Sequence, residues 1–121
     1  MNELFIEETK GTPSVIFKAD GHLSMHGRSL PLDSIGFFNP ILKWVKEISA
    51  TSVHFSIRLD YLNTSSAKYL YTILQLLKDN PRINSLNIQW YYEQDDEDGY
   101  DAGKEFESLV NVPFKFYEFS E

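Results

Sequence analysis

Residues 53–77 read VHFSIRLDYLNTSSAKYLYTILQLL, and the change of period inside this stretch decides the fold. Val53, Phe55, Ile57 and Leu59 alternate with His54, Ser56 and Arg58, the period of two of a half-buried strand over residues 53–59. From Ala67 onward the apolar residues fall at Leu70, Ile73, Leu74 and Leu77, which is the spacing of an amphipathic helix. Asn63-Thr64-Ser65-Ser66 stand between the two, and such side chains accept hydrogen bonds from the free N–H groups of a helix's first turn. Asn80-Pro81 closes the helix. A strand running straight into a capped helix is the opening half of a β-α-β crossover.

The pattern repeats downstream. Ser85 to Tyr91 alternates again, with Leu86, Ile88 and Trp90 on one face. Phe106, Leu109 and Val110 predict a helix over about 101–111, stopped by Pro113, and residues 114–119 form a last alternating strand. Upstream, Asp33-Ser34 offers a cap, and Phe37, Ile41, Trp44, Val45 and Ile48 predict a helix over about 39–50, with Pro40 in its first turn. Before it stand three short strands: 4–6, 14–17 and 22–26. The last two are joined at Ala19-Asp20-Gly21, where Asp-Gly is a strong hairpin signal. Gly27 through Pro31 break the last of them. The order is β-β-β-α-β-α-β-α-β, so the expected fold class is α/β. One open mixed sheet joins an N-terminal hairpin to parallel βαβαβ crossovers. The strands alternate rather than run continuously apolar, so the helices belong mainly on one face and the other face is wetter.

Composition narrows the chemistry. The 121 residues suit one domain over 1–121, and 42% hydrophobic with 24% charged residues is globular rather than disordered usage. The absence of cysteine excludes a disulfide scaffold, a thiolate nucleophile and a cysteine zinc site. No apolar run approaches the ~20 residues of a membrane span, and acids occupy the N-terminus where a signal peptide needs cations, so the expected location is cytoplasmic. Charge is unevenly placed. Of eleven basic and eighteen acidic residues, residues 91–121 hold two and ten. A phosphate backbone or an anionic membrane would be repelled by that segment, so neither nucleic acid nor direct membrane contact is expected.

Two segments could carry function. Asn63-Thr64-Ser65-Ser66 reads either as a plain cap or as a phosphorylation site, where the phosphate would sit at the positive end of the helix dipole. The same residues match a glycosylation acceptor, which the lack of a secretory signal sets aside. Glu93 to Asp101 packs six carboxylates into nine residues. The acids are consecutive and Gly99 is out of place for a calcium loop, so the segment reads as a solvated loop and helix start or as a partner surface. If the strands at 53–59 and 85–91 are parallel, both segments share one rim of the sheet, where sites on such sheets gather. His22 and His26 lie about 13 Å apart along one strand at ~3.3 Å per residue, and His54 stands alone, so no metal set is expected. No nucleophile elbow, Walker loop or dinucleotide fingerprint is present, and the chain does not read as an enzyme. Trp44 and Trp90 read as core packing.

Tyr61-Leu62-Asn63-Thr64-Ser65-Ser66-Ala67-Lys68 resembles the signature of the SiaC family of bacterial regulatory phosphoproteins. Trp90-Tyr91-Tyr92-Glu93 with Asp96-Glu97-Asp98, Gly103 and Pro113-Phe114 resembles its second signature, and Phe38, Pro40 and Trp44 match a weaker one. The likeness runs from about residue 29 to 119 and departs at Pro31-Leu32-Asp33, Gln94 and Gly99. The resemblance implies a STAS-like fold related to anti-sigma-factor antagonists, with Thr64 as phosphoacceptor and Asn63, Ser65 and Ser66 shaping its loop. It implies a Ser/Thr protein kinase, a metal-dependent protein phosphatase and a diguanylate cyclase as partners. The unphosphorylated form would stimulate the cyclase and so control cyclic di-GMP, aggregation and biofilm. No cofactor is implied. Glu93, Asp95 and Asp96 are the acids placed to form a partner surface. Two other functions stay open on the residues alone: a small-ligand or nucleotide-binding domain, and a constitutive structural subunit.

Overall fold

A computed structural model describes residues 1–120. Six strands form one sheet in chain order: β1 (Leu4–Ile6), β2 (Ser14–Phe17), β3 (His22–Ser29), β4 (Ser52–Leu62), β5 (Ser85–Glu93) and β6 (Phe114–Phe119). β1, β2 and β3 pair antiparallel, and β3 through β6 pair parallel. The three parallel crossovers carry α1 (Ser34–Glu47), α2 (Thr64–Asp79) and α3 (Glu97–Val110). Each crossover steps one strand in the same direction, so a uniform right hand lays all three helices on one face.

The pleat explains the core. Leu23, Met25, Val53, Phe55, Ile57, Ile88 and Trp90 are buried on the helix side, against Phe38, Ile41, Leu70, Ile73, Leu74 and Phe106. Their neighbours in sequence point the other way, onto a sheet face that no helix covers. Gly21 sits at φ 105° in the β2–β3 turn, a conformation that glycine adopts without strain. The mixed sheet, the hairpin and the one-sided helices follow the sequence pattern.

Several boundaries differ, each for a local reason. α1 begins at Ser34 rather than near residue 39, because the Asp33 carboxylate accepts the Gly36 N–H at 3.0 Å. Pro40 therefore lies inside the helix. It is exposed, so water can serve the Gly36 carbonyl that lost its partner. The helix stops at Glu47, not residue 50. Ile48 turns extended, and its carbonyl accepts from Asn80 Nδ2 and Arg82 Nη1, each at 3.1 Å. β3 runs through Gly27 to Ser29 by shifting register at Gly27/Arg28, and β4 continues to Leu62 beside it. α3 begins at Glu97 rather than 101, because Asp96 accepts the Gly99 N–H at 3.0 Å and Glu97 and Asp98 suit the first turn. No helix of the described residues is long and apolar enough to cross a membrane.

Candidate functional site

The rim at the C-terminal ends of β4 and β5 holds the hydroxyl cluster. Asn63 is the N-cap of α2: its Oδ1 accepts the Ser66 N–H at 2.9 Å, and its carbonyl accepts the Ala67 N–H at 2.9 Å. Its own N–H donates to the Ser29 carbonyl at 3.0 Å, which ties the cap to the end of β3. The N–H groups of Thr64 and Ser65 are left without partners among the described residues, as a helix start requires.

The three hydroxyls that follow have different surroundings. Ser66 is fully buried, donates to the Ser29 carbonyl at 3.0 Å and accepts from Ser29 Oγ at 2.7 Å. Ser65 is half-buried and donates to Asn63 Oδ1 at 3.2 Å, with Ser34 Oγ 2.7 Å away on α1. Thr64 is exposed, and its hydroxyl makes no hydrogen bond among the described residues. A modifying enzyme can reach Thr64 without breaking the fold, whereas a phosphate on Ser66 would have to enter the core.

Thr64 also lines a groove between α2 and α3. This groove encloses about 580 Å3 and is walled by Leu62, Ala67, Tyr71, Ala102, Phe106 and Leu109. Lys68 lies one turn beyond Thr64 on the same wall. Tyr71 and Leu109 on the groove wall are exposed, and so are Leu32 and Ile35 at the start of α1. Sequence reasoning missed these four. Tyr71 and Leu109 looked like ordinary helix residues, Ile35 lay before the helix expected from about residue 39, and only the packing of the helices shows that they face outward.

The acidic segment shares the rim, because β4 and β5 are parallel neighbours. Leu59 to Leu62, Asp96, Asp98 and Gly99 line a common cleft there. Glu93 and Asp95 are exposed, with Asp95 at φ 68°, while Asp96 is half-buried and occupied in capping α3. Trp90 is core, and its Nε1 donates to the Gly99 carbonyl at 3.0 Å, fastening the start of α3 to β5. Trp44 is core too, with Nε1 on the Asn2 carbonyl at 2.7 Å.

His54 does not stand alone. The parallel register sets it opposite His22, and the two rings stack with centroids 5.3 Å apart. They lie on the uncovered sheet face at the far end from Thr64. Among the described residues, no group of three or more His, Asp or Glu side chains is arranged to hold a metal ion.

Comparison with known proteins gives a consistent picture. The model of the SiaC family regulatory phosphoproteins matches residues 6–119. An uncharacterized protein of Pseudomonas aeruginosa is 32% identical, covering 94% of each chain. Among solved structures, a chain of the crystal structure of the diguanylate cyclase SiaD in complex with its activator SiaC, from Pseudomonas aeruginosa, superposes with a TM-score of 0.87. It is 31% identical over 96% of this chain and 99% of that one. SiaC of Pseudomonas aeruginosa superposes with a TM-score of 0.82 at 30% identity over the whole of both chains. The cap, the accessible threonine and the one-sided sheet therefore sit in a chain that belongs to the SiaC family of regulatory phosphoproteins.

Proposed function

We propose that this protein is a phosphorylation-switched adaptor, without catalysis of its own, that binds and stimulates a diguanylate cyclase while Thr64 is unmodified. The observation that carries the reading is the position of Thr64: exposed, uncommitted, and lining a mainly apolar groove whose wall includes the exposed Tyr71 and Leu109. Exposed apolar clusters of this kind mark protein contacts. A phosphate brings a charge of about −1.5 to −2. The α2 dipole, the free Thr64 and Ser65 N–H groups and Lys68 would tolerate it in the free protein. An apolar partner surface closing on the groove would have to strip its water, which is costly for an uncompensated charge. Phosphorylation thus disfavours the complex more than the fold. The solved complex of a SiaC with the cyclase SiaD supports the choice of partner. The likeness of the 61–68 signature supports a Ser/Thr protein kinase that writes the mark, a metal-dependent phosphatase that removes it and a cytoplasmic site of action. Asn63, Ser65 and Ser66 hold the loop, and Glu93 and Asp95 form an acidic margin to the partner surface.

Cyclase assays with added adaptor test this. Unmodified protein and Thr64→Ala should both raise the rate of cyclic di-GMP formation by the cognate cyclase, and Thr64→Asp should not. Equal stimulation by Thr64→Ala and Thr64→Asp would contradict the switch.

A further inference from the structure

We propose that the uncovered sheet face carries a second site, which binds a small phosphomonoester. The alternation that buries one side of β2 to β5 sends polar side chains to the other. There, Lys18, His22, Ser24, His54, Ser56 and Gln89 line a cavity of about 330 Å3, with Ile16 as an apolar wall. That volume lies within the range of small-molecule sites. Its chemistry is one-sided. The Ser56 hydroxyl donates to Gln89 Oε1 at 2.7 Å, which occupies the carbonyl end of the amide and leaves its two N–H donors. Lys18 supplies an ammonium group. His22 gives Nδ1 to the Asp20 carboxylate at 3.1 Å and stacks on His54, so the two imidazoles are held side by side.

Among the described residues, no carboxylate lines the cavity. Asp20, in the β2–β3 turn, is already engaged by the backbone N–H and the ring of His22, which together hold it below the usual carboxylate range. The surroundings continue the theme. Among the described residues, the register of β3 to β6 puts Arg28, Arg58, Lys115 and all three histidines on this face with Glu93, while Asp60 is passed over by the register shift in β4. A chain of net charge −7 thus places four of its eleven Lys and Arg residues, Lys18, Arg28, Arg58 and Lys115, on or beside one sheet surface. Donors from the β2–β3 turn, β3, β4 and β5 suit the several acceptor oxygens of a phosphate dianion better than one planar carboxylate. The space beyond the phosphate, against Ile16, takes a small organic body.

Titration of the full chain, followed by the backbone amide spectrum, tests the site, with inorganic phosphate and glycerol 2-phosphate as probes. Succinate and potassium chloride at matched ionic strength serve as comparators. Saturable shifts centred on residues 22–24, 54–56 and 89 are expected. Lys18→Met and His54→Gln should each weaken binding about tenfold, as the loss of a charge-assisted hydrogen bond implies. Thr64→Asp should bind phosphate unchanged, because the cavity lies at the opposite end of β4, so this site and the switch fail separately. Shifts reproduced by chloride, succinate binding as tight as phosphate, or unaltered affinity in the folded variants would each overturn the assignment.

Discussion

Three adjacent hydroxyls have three different fates because of where α2 begins. Asn63 takes the cap, so the next residue is the first with helical geometry and projects from the helix end, while Ser66 turns inward under Ser29. Removing the Ser66 hydroxyl leaves that of Ser29 buried without its acceptor. Ser66→Ala should therefore cost about 1–3 kcal/mol in urea unfolding while leaving phosphate incorporation at Thr64 intact. The cluster as a cap was legible in the sequence, because Asn, Thr and Ser before an apolar helical period have few other roles. Which hydroxyl is accessible was not, since that depends on β3 ending beside α2, a contact 37 residues away in sequence. The histidines failed to be read for the same reason: His22 and His54 meet only through a parallel register that spacing along the chain does not encode.

The existence and order of the elements followed from periodicity, and their ends followed from side chains acting as caps. The start of α3 shows the difference. The run of acids carries no apolar period, so periodicity predicts the helix only from about residue 101, yet Asp96 caps and Glu97 and Asp98 favour the dipole, so the helix starts four residues early. The far end of α3 is fastened by Glu107, which accepts the Phe114 N–H at 2.8 Å and an ammonium hydrogen of Lys104 at 3.3 Å. The Phe114 bond, with Lys104 adding to it, holds the carboxyl below its ordinary range despite partial burial. A lowered pKa means stabilisation that is full above the unfolded value and is lost as pH falls through the folded one. Glu107→Ala should cost about 1 kcal/mol near pH 7, with the gap to the parent closing as the medium is acidified through the carboxylate range. Thermal melts of both proteins at several pH values check this. Gly103 sets how closely α3 approaches the sheet: a Cβ there would lie 2.6 Å from Trp90 and 2.8 Å from Phe116. Gly103→Ala should destabilise by about 1–3 kcal/mol through overpacking, although alanine is the better helix former by about 1 kcal/mol. Denaturant midpoints decide the sign.

The whole molecule has two unlike faces. Helices cover one side of the sheet and present the apolar groove beside Thr64, while the other side stays open, polar and basic. Alternating strands announced the open face in the sequence, but the groove arises from two helices packed side by side, and no local pattern records it. Leu109, exposed on the groove wall, separates stability from docking. Leu109→Glu should leave the melting temperature nearly unchanged and abolish cyclase stimulation, measured as cyclic di-GMP formed per unit time. In the proposed switch Thr64 joins the two levels, since a phosphate there would be tolerated by the free molecule and resisted by a partner closing on the groove. The most direct test is the affinity of the cognate diguanylate cyclase for this protein, measured by calorimetry with Thr64 unmodified and with Thr64 stoichiometrically phosphorylated. Weakening by about 5- to 150-fold, the usual span of a coupling free energy, is the predicted result. Equal affinity for the two forms would contradict the switch.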